Sequence, residues 1–162
     1  MEGLKLIPVY NLQAVLNTWH LYVPGIEAIL RNSGDDTNIE KIYNEIMAGN
    51  LLLWVGFVDD KYVGFLTTCF QDIPMAGRAL WIVHTFKRPK TETAWLLEGF
   101  KVIENFAKEK GCKTIKFYAL ARKWQDRFLA LGFKIGYTEF IKEVQHEDLP
   151  EISSADSGPK NS

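Results

Sequence analysis

Apolar residues recur along this chain with two spacings, and the points where one replaces the other mark its elements. Lys5–Tyr10 (KLIPVY) is short and β-rich, and Pro8 fits only an edge or the start of such a strand. Asn11 then suits the cap of a helix through about Tyr22, with Leu12, Val15, Leu16 and Trp19 on one face and Pro24-Gly25 as its break. After a polar loop at 32–36, Thr37 or Asn38 caps a second helix striped by Ile39, Ile42, Tyr43 and Ile46 and stopped by Gly49. Leu51–Val58 reads as a buried strand, Asp59-Asp60-Lys61 as a tight turn, and Tyr62–Phe70 as the partner strand of a hairpin. Gly56 and Gly64 within it suggest close backbone approach.

Beyond the loop Pro74–Arg78, Ala79–Phe86 is apolar on both faces, as a central strand is. Simple alternation puts Leu80, Ile82, His84 and Phe86 on one face, and Trp81, Val83 and Thr85 on the other. Helical spacing of Leu96, Leu97, Phe100, Ile103, Phe106 and Ala107 predicts a helix over Thr93–Lys110, ended by Gly111. Thr114–Ala119 predicts a strand, Lys123–Leu131 a short helix closed by Gly132, and Phe133–Val144 a last strand or two. The expected order is β-α-α-β-β-β-α-β-α-β, an α/β (α+β) sandwich around a central mixed sheet, with a crossover from Ala79 to Ala119.

Composition changes this picture little. Hydrophobic residues are 47% of the 162 and aromatics 13%, enough for a core. They predict one domain over 1–144, followed by a polar flexible tail over 145–162. A formal net charge of -1 speaks against nucleic acid as partner. Cys69 and Cys112 form neither a disulfide framework nor a metal-ligand spacing, so no metal is expected. Met1–Lys5 has no signal-peptide pattern, and the apolar run 51–58 is too short to cross a bilayer. The expectation is a cytoplasmic protein without a membrane partner.

The stretch Trp81–Lys110 carries the chemistry: a buried strand, a basic loop without glycine (Lys87-Arg88-Pro89-Lys90-Thr91-Glu92-Thr93), then an amphipathic helix. Unpaired N–H groups and the macrodipole make a helix N-terminus a site for phosphate. The element order, with the stretches LLLWVGFVDDKYVGFLTTCF, ENFAKEKGCKTIKFY and RFLALGF, resembles the GNAT superfamily of acyl-CoA N-acyltransferases over Lys5 to about Val144. The resemblance implies acetyl-CoA or another acyl-CoA bound between the strand ending near Phe86 and the strand starting at Thr114. The family's loop signature is Q/R-x-x-G-x-G/A. Arg88 matches its first position, while Thr91 and Thr93 stand where small residues occur. The implied cofactor contacts are Val83, Thr85, Arg88, Lys90, Thr91, Glu92, Thr93 and Ala94. Thr supplies an amide but crowds the approach, and Pro89 supplies no N–H. The family's general-acid tyrosine falls at Phe128, which carries no proton, and its pantetheine-binding asparagine falls near Ala121. The segment Ala121–Trp124 before Arg127–Phe133 also looks like divergent GNAT-like proteins of tailed phages.

Each candidate side chain has two readings. His84 is a general base or a hydrogen-bonded core histidine. Asp72 orients or deprotonates an amine, or bonds local backbone. Cys69 and Cys112 read as small buried hydrophobes. Arg122, Lys123 and Arg127 with Trp124 contact a nucleotide or partner, or form a solvated helix face. Trp19 and His20 border the acceptor side, with Trp19 read as core. The whole chain then has two functional readings. One is an N-acetyltransferase acting on a small-molecule or protein amine. The other is a silent GNAT-fold phage protein, a structural module of the virion or a host-binding one. A dimer is compatible with both.

Overall fold

The computed structural model describes residues 3–33, 37–118 and 122–136, together with Lys142 and Val144. In chain order the elements are β1 (Lys5–Val9), α1 (Leu12–Ser33), α2 (Ile39–Met47), β2 (Leu52–Val58), β3 (Lys61–Ile73), β4 (Gly77–Lys87), α3 (Thr93–Glu109), β5 (Thr114–Phe117) and α4 (Arg122–Ala130). The five strands lie in sequence order in one mixed sheet, antiparallel from β1 to β4 and parallel between β4 and β5. Parallel neighbours require a crossover, and α3 supplies it.

Local chemistry explains most boundaries. Asn38 caps α2 by accepting the Lys41 N–H at 2.9 Å, and Gly49 follows it at φ 81°. Asp59 and Asp60 both adopt positive φ, at 48° and 58°, between the paired Val58 and Lys61. That is the two-residue turn whose twist matches a hairpin, and Asp tolerates it better than most residues. Pro8 sits on β1, an edge of the sheet, as its missing donor requires.

Two apolar layers sandwich the sheet. Val15, Tyr22, Ile26, Ile42 and Ile46 of α1 and α2 pack on Leu53, Val55 and Phe65. On the other face Phe100, Ile103 and Phe106 of α3, with Phe128 of α4, pack on Trp54, Leu66, Leu80 and Ile82.

The differences from expectation have physical causes. Helix α1 does not break at Pro24-Gly25 but runs on to Ser33. Proline inside a helix costs about 3 kcal/mol. The buried stripe Val15, Tyr22, Ile26 continues through it and outweighs that loss. Gly25 serves packing rather than a break: a Cβ there would lie 2.5 Å from the Phe86 ring. Of the hairpin glycines, Gly64 is the true close approach, since its Cβ would lie 2.3 Å from the Phe86 carbonyl oxygen. Gly56 meets its neighbours only at ordinary distance, 3.4 Å and beyond. Strands β3 and β4 both extend past the expected ends, to Ile73 and from Gly77, around a short turn with Met75 at φ 66°.

The expected strand over Phe133–Val144 is absent at Phe133–Gly136, Lys142 and Val144. Its remainder, the strand end at Ala119, Ala121, the loop 34–36, the side chains of Arg122, Lys123 and Trp124, and the tail lie outside the described residues. Among the described residues no helix is long and apolar enough to cross a membrane, and no group of His, Cys, Asp and Glu could hold a metal ion.

Candidate active site

One inserted residue organises the site. In the β3–β4 ladder Thr67 opposes His84 while the next residue, Thr68, opposes Ile82, so Val83 is extra. Such a bulge reverses the alternation beyond it. Leu80 and Ile82 therefore face α3. Phe86 faces α1, tilted against Phe65 at 5.7 Å, and His84 bonds Thr67 on that same side. Placing His84 on the face of Leu80 and Ile82, as simple alternation does, is corrected by this register.

The bulge also marks where β4 and β5 part. Their parallel pairs run from Ala79–Thr114 to Ile82–Phe117. Strand β5 then ends, while β4 continues to Lys87. Among the described residues Val83–Lys87 thus has no strand on its β5 side. This open edge leads into the loop before α3.

That loop is a tight turn. The Thr91 N–H donates to the Arg88 carbonyl at 3.2 Å, with Pro89 second and Lys90 third at φ 67°. Proline and a positive φ in that order define a type II turn, in which Lys90 takes a conformation usually left to glycine. The Arg88 N–H donates to the Val63 carbonyl at 2.9 Å. The amides of Arg88 and Thr91 are therefore spent within the protein, and Pro89 has none.

What stays open is the start of α3. Glu92 occupies its N-cap position without a side-chain capping bond, and the Trp95 N–H reaches the Glu92 carbonyl at 3.3 Å. The Thr93 and Ala94 N–H groups precede the first intrahelical bond, with the positive end of the dipole behind them. The basic side chains of the loop are only partly directed outward. The Lys87 ammonium donates to the Thr91 carbonyl at 2.5 Å, and Arg88 donates to the Tyr62 carbonyl at 3.3 Å. Lys90 is exposed. Under the loop, Thr85, Lys87, Thr91 and Trp95 line a small cavity of about 60 Å³ into the α3 layer. The Thr85 hydroxyl is buried there without a hydrogen-bond partner.

On the α2 side of the bulge lies a larger cleft of about 470 Å³, lined by Lys41, Glu45, Asn50, Cys69, Val83 and His84. The Thr67 hydroxyl is 2.7 Å from His84 Nδ1 and 3.2 Å from the His84 backbone N–H. Burial pushes the Cys69 thiol above its usual range, so at neutral pH this cleft residue is a thiol and a poor nucleophile. Burial raises Cys112 likewise, ahead of the opposed effects of Arg78 and Asp72.

Other candidates fall elsewhere. Asp72 lies toward the far end of the β3–β4 hairpin, opposite Arg78, whose guanidinium it pairs with at 3.2 Å. Both partners are exposed, so the pair adds little to stability, and Asp72 does not line the cleft. Phe128 is 8% exposed, with its ring 4.7 Å from Phe117 and 5.3 Å from Phe100. It is a core residue with nothing to donate. Trp19 packs edge-on against Tyr43 at 5.0 Å, as a core residue does, while His20 is exposed.

Thr67 and the α2 residues Lys41 and Glu45 are site members that sequence reading missed. The signal for Thr67 was a pair of threonines in an otherwise apolar strand. Its partner Thr68 accepts from Trp54 Nε1 at 2.9 Å on the opposite face. Nothing local marks Lys41 and Glu45, because only the packing of α2 brings them to the cleft.

Solved structures share this architecture. A predicted acetyltransferase from Clostridium acetobutylicum, crystallised with acetyl-CoA, superposes with TM-score 0.62 at 17% identity over 87% of this chain and 96% of its own. An aminoglycoside acetyltransferase from an uncultured soil metagenomic sample, in complex with trehalose, gives 0.66 at 14% identity over 88% and 97%. A GCN5-related N-acetyltransferase from Ralstonia eutropha JMP134 gives 0.66 at 15% identity over 88% and 99%. No family model and no curated protein matches the chain. At these identities the likeness shows the fold: the chain has the GNAT acetyltransferase fold, with a mixed sheet between two helical layers.

Proposed function

We propose that this protein is an N-acyltransferase that moves an acyl group from acyl-CoA to an amine. One observation carries the reading. Among the described residues the edge of β4 has no strand partner after Ile82, and β4 leads through the turn at Arg88–Thr91 to a helix whose N-cap residue makes no side-chain capping bond. An extended amide-bearing arm and a pyrophosphate need such an edge and such a terminus, in that order. The acetyl-CoA in the Clostridium structure agrees with this choice of ligand.

The residues fit that ligand in part. Thr93 and Ala94 would meet the pyrophosphate with backbone N–H groups, aided by the exposed Lys90. Val83 and Thr85 would offer backbone groups to the arm. Arg88, Thr91 and Glu92 border the site, and the first two have already spent their amides. Acyl-CoA, when bound, supplies the thioester. The cleft beside the bulge would receive the amine, and the aminoglycoside acetyltransferase among the structural neighbours supports an amine acceptor of that general kind. His84 lines this cleft. Its imidazole can accept the amine's proton or donate to the carbonyl oxygen, according to which nitrogen carries the hydrogen.

The test is a titration with acetyl-CoA, followed by melting temperature and heat. Micromolar binding raises apparent stability by mass action. No shift at millimolar acetyl-CoA overturns the reading. A second reading, a silent GNAT-fold scaffold such as a phage structural or host-binding module, is favoured by Phe128 lying in the core and by the spent amides of the loop. It predicts no acetyl-CoA shift together with recovery in a stable particle or complex.

A further inference from the structure

Thr67 is 1% exposed, and both hydrogen-bond partners of its hydroxyl belong to His84. The inventory of this hydroxyl decides the chemistry of the histidine. A hydroxyl has one hydrogen to donate and two lone pairs to accept with. The His84 backbone N–H, which lies beside the bulge, can only donate, so it takes one lone pair. The hydroxyl hydrogen then needs an acceptor, since a buried donor without one loses its bond to water and gains nothing in return. Among its partners Nδ1 is the one atom able to accept, and it lies at 2.7 Å. The reverse arrangement, with Nδ1–H donating to Thr67, would orphan the threonine hydrogen in the interior.

We infer that Thr67 holds His84 as the neutral tautomer with bare Nδ1 and hydrogen on Nε2, so that His84 serves the cleft as a hydrogen-bond donor and not as a base. The nitrogen able to take a proton is the one already filled by Thr67. The far side of the ring carries N–H. In an acyl transfer, such a donor opposes the negative charge that develops on the carbonyl oxygen as the C–N bond forms and the C–S bond breaks. The proton lost by the amine passes to water in the cleft, and the departing thiolate takes one from water. Thr67 is then a positioning residue acting through His84. The donor role rests on the acyltransferase reading, whereas the tautomer does not.

The experiment is a long-range nitrogen–proton correlation spectrum of the histidine rings in the full chain. The sequence has three histidines, and the signal lost in His84→Gln identifies the ring in question. A bare Nδ1 and a protonated Nε2 at neutral pH is the expected result, and a protonated Nδ1 overturns the inference. Thr67→Ser should keep the wild-type pattern, and Thr67→Val should give a mixture of tautomers. An unchanged pattern in Thr67→Val removes the role of Thr67. Should Thr67→Val fail to fold, the wild-type and Thr67→Ser spectra still decide. With acetyl-CoA and an amine, His84→Gln, which can donate but is not basic, should stay within about tenfold of wild type, while His84→Ala loses roughly 100-fold. Equal losses in the two variants overturn the donor role. A wild type without turnover removes the acyltransferase reading and the donor role with it, and leaves the tautomer to the spectrum.

Discussion

Replacing Ala94 by aspartate sets stability and ligand binding against each other at one position. Ala94 is exposed, two residues past the uncapped Glu92. A carboxylate there faces the positive end of the α3 dipole, which contributes about 0.3–1 kcal/mol. Against this stands a loss of helix propensity of up to about 0.7 kcal/mol. The two nearly cancel, so Tm should stay within about 2 °C of wild type. Binding behaves differently. At a separation of about 5 Å and an effective dielectric constant of roughly 20, two unit charges repel by about 3 kcal/mol. Physiological salt removes about half of that. The remainder corresponds to at least roughly 10-fold weaker affinity, and the pyrophosphate carries more than one charge.

The assay is calorimetric titration with acetyl-CoA beside thermal melting of the same samples. Ala94→Lys is the sign control: it should cost a little stability and leave affinity equal or improved. Ala94→Asp with wild-type affinity and a wild-type Tm would refute the placement of the phosphates at α3. A large fall in Tm would refute the description of that terminus as open.

Three further substitutions test the fold around the site. Pro24→Ala should stabilise by about 1–3 kcal/mol, because α1 passes through this position and proline removes one of its hydrogen bonds; a lower denaturation midpoint in urea would contradict this. Gly64→Ala should destabilise by about 1–3 kcal/mol, since the new methyl meets the backbone oxygen of Phe86 at 2.3 Å; an unchanged melting curve would mean that the β3–β4 approach is looser than described. Burial, then the nearby Tyr22, raises the Tyr62 phenol above its ordinary value of 10.0, while Arg88 opposes them. The unfolded chain therefore loses this proton first, and stability should fall as pH rises above 10. Tyr62→Phe should flatten that alkaline loss. It should also cost little at neutral pH, as the hydroxyl is buried without a partner; equal alkaline slopes in the two proteins would count against the assignment.

What was legible in the sequence had local causes. The Asn38 cap, the Asp59-Asp60 turn and the stripe of α3 follow from nearby side chains and their own backbone, so reading them needs no knowledge of the sheet. Helix α1 beyond Pro24 was misread because a local penalty was weighed without the distant partners that Tyr22 and Ile26 bury against. The basic loop was misread in a related way. Lys87 and Arg88 make the loop basic in sequence, yet both donate to backbone carbonyls of the protein itself. A long cationic side chain near a ligand site is as ready to brace the loop as to meet the ligand, and only the acceptors around it decide.

The bulge at Val83 links these limits to function. Period-two reading put His84 in the α3 layer, where an imidazole among Leu80 and Ile82 would be a core residue. One extra residue in β4, with no signature in a run of apolar and aromatic side chains, moves His84 to the cleft and against Thr67. The same insertion coincides with the last β4–β5 pair at Ile82, so the irregularity that aims the histidine falls where, among the described residues, the strand edge loses its partner. Two features depart from the pattern that the resemblance implies: the glycine-free turn follows the end of β4, and the Phe128 ring packs 4.7 Å from Phe117, the β5 partner of Ile82. On the proposed function, the occupied loop amides would weaken the hold on a phosphate, and Phe128 would supply no proton. Neither alters the geometry of His84, Thr67 and the open edge of β4. On the proposed function, a protein of this build would bind an acyl donor weakly and still present an ordered donor group to its carbonyl. The pair of measurements that matters is thus the affinity for acetyl-CoA and the tautomer of His84, taken separately.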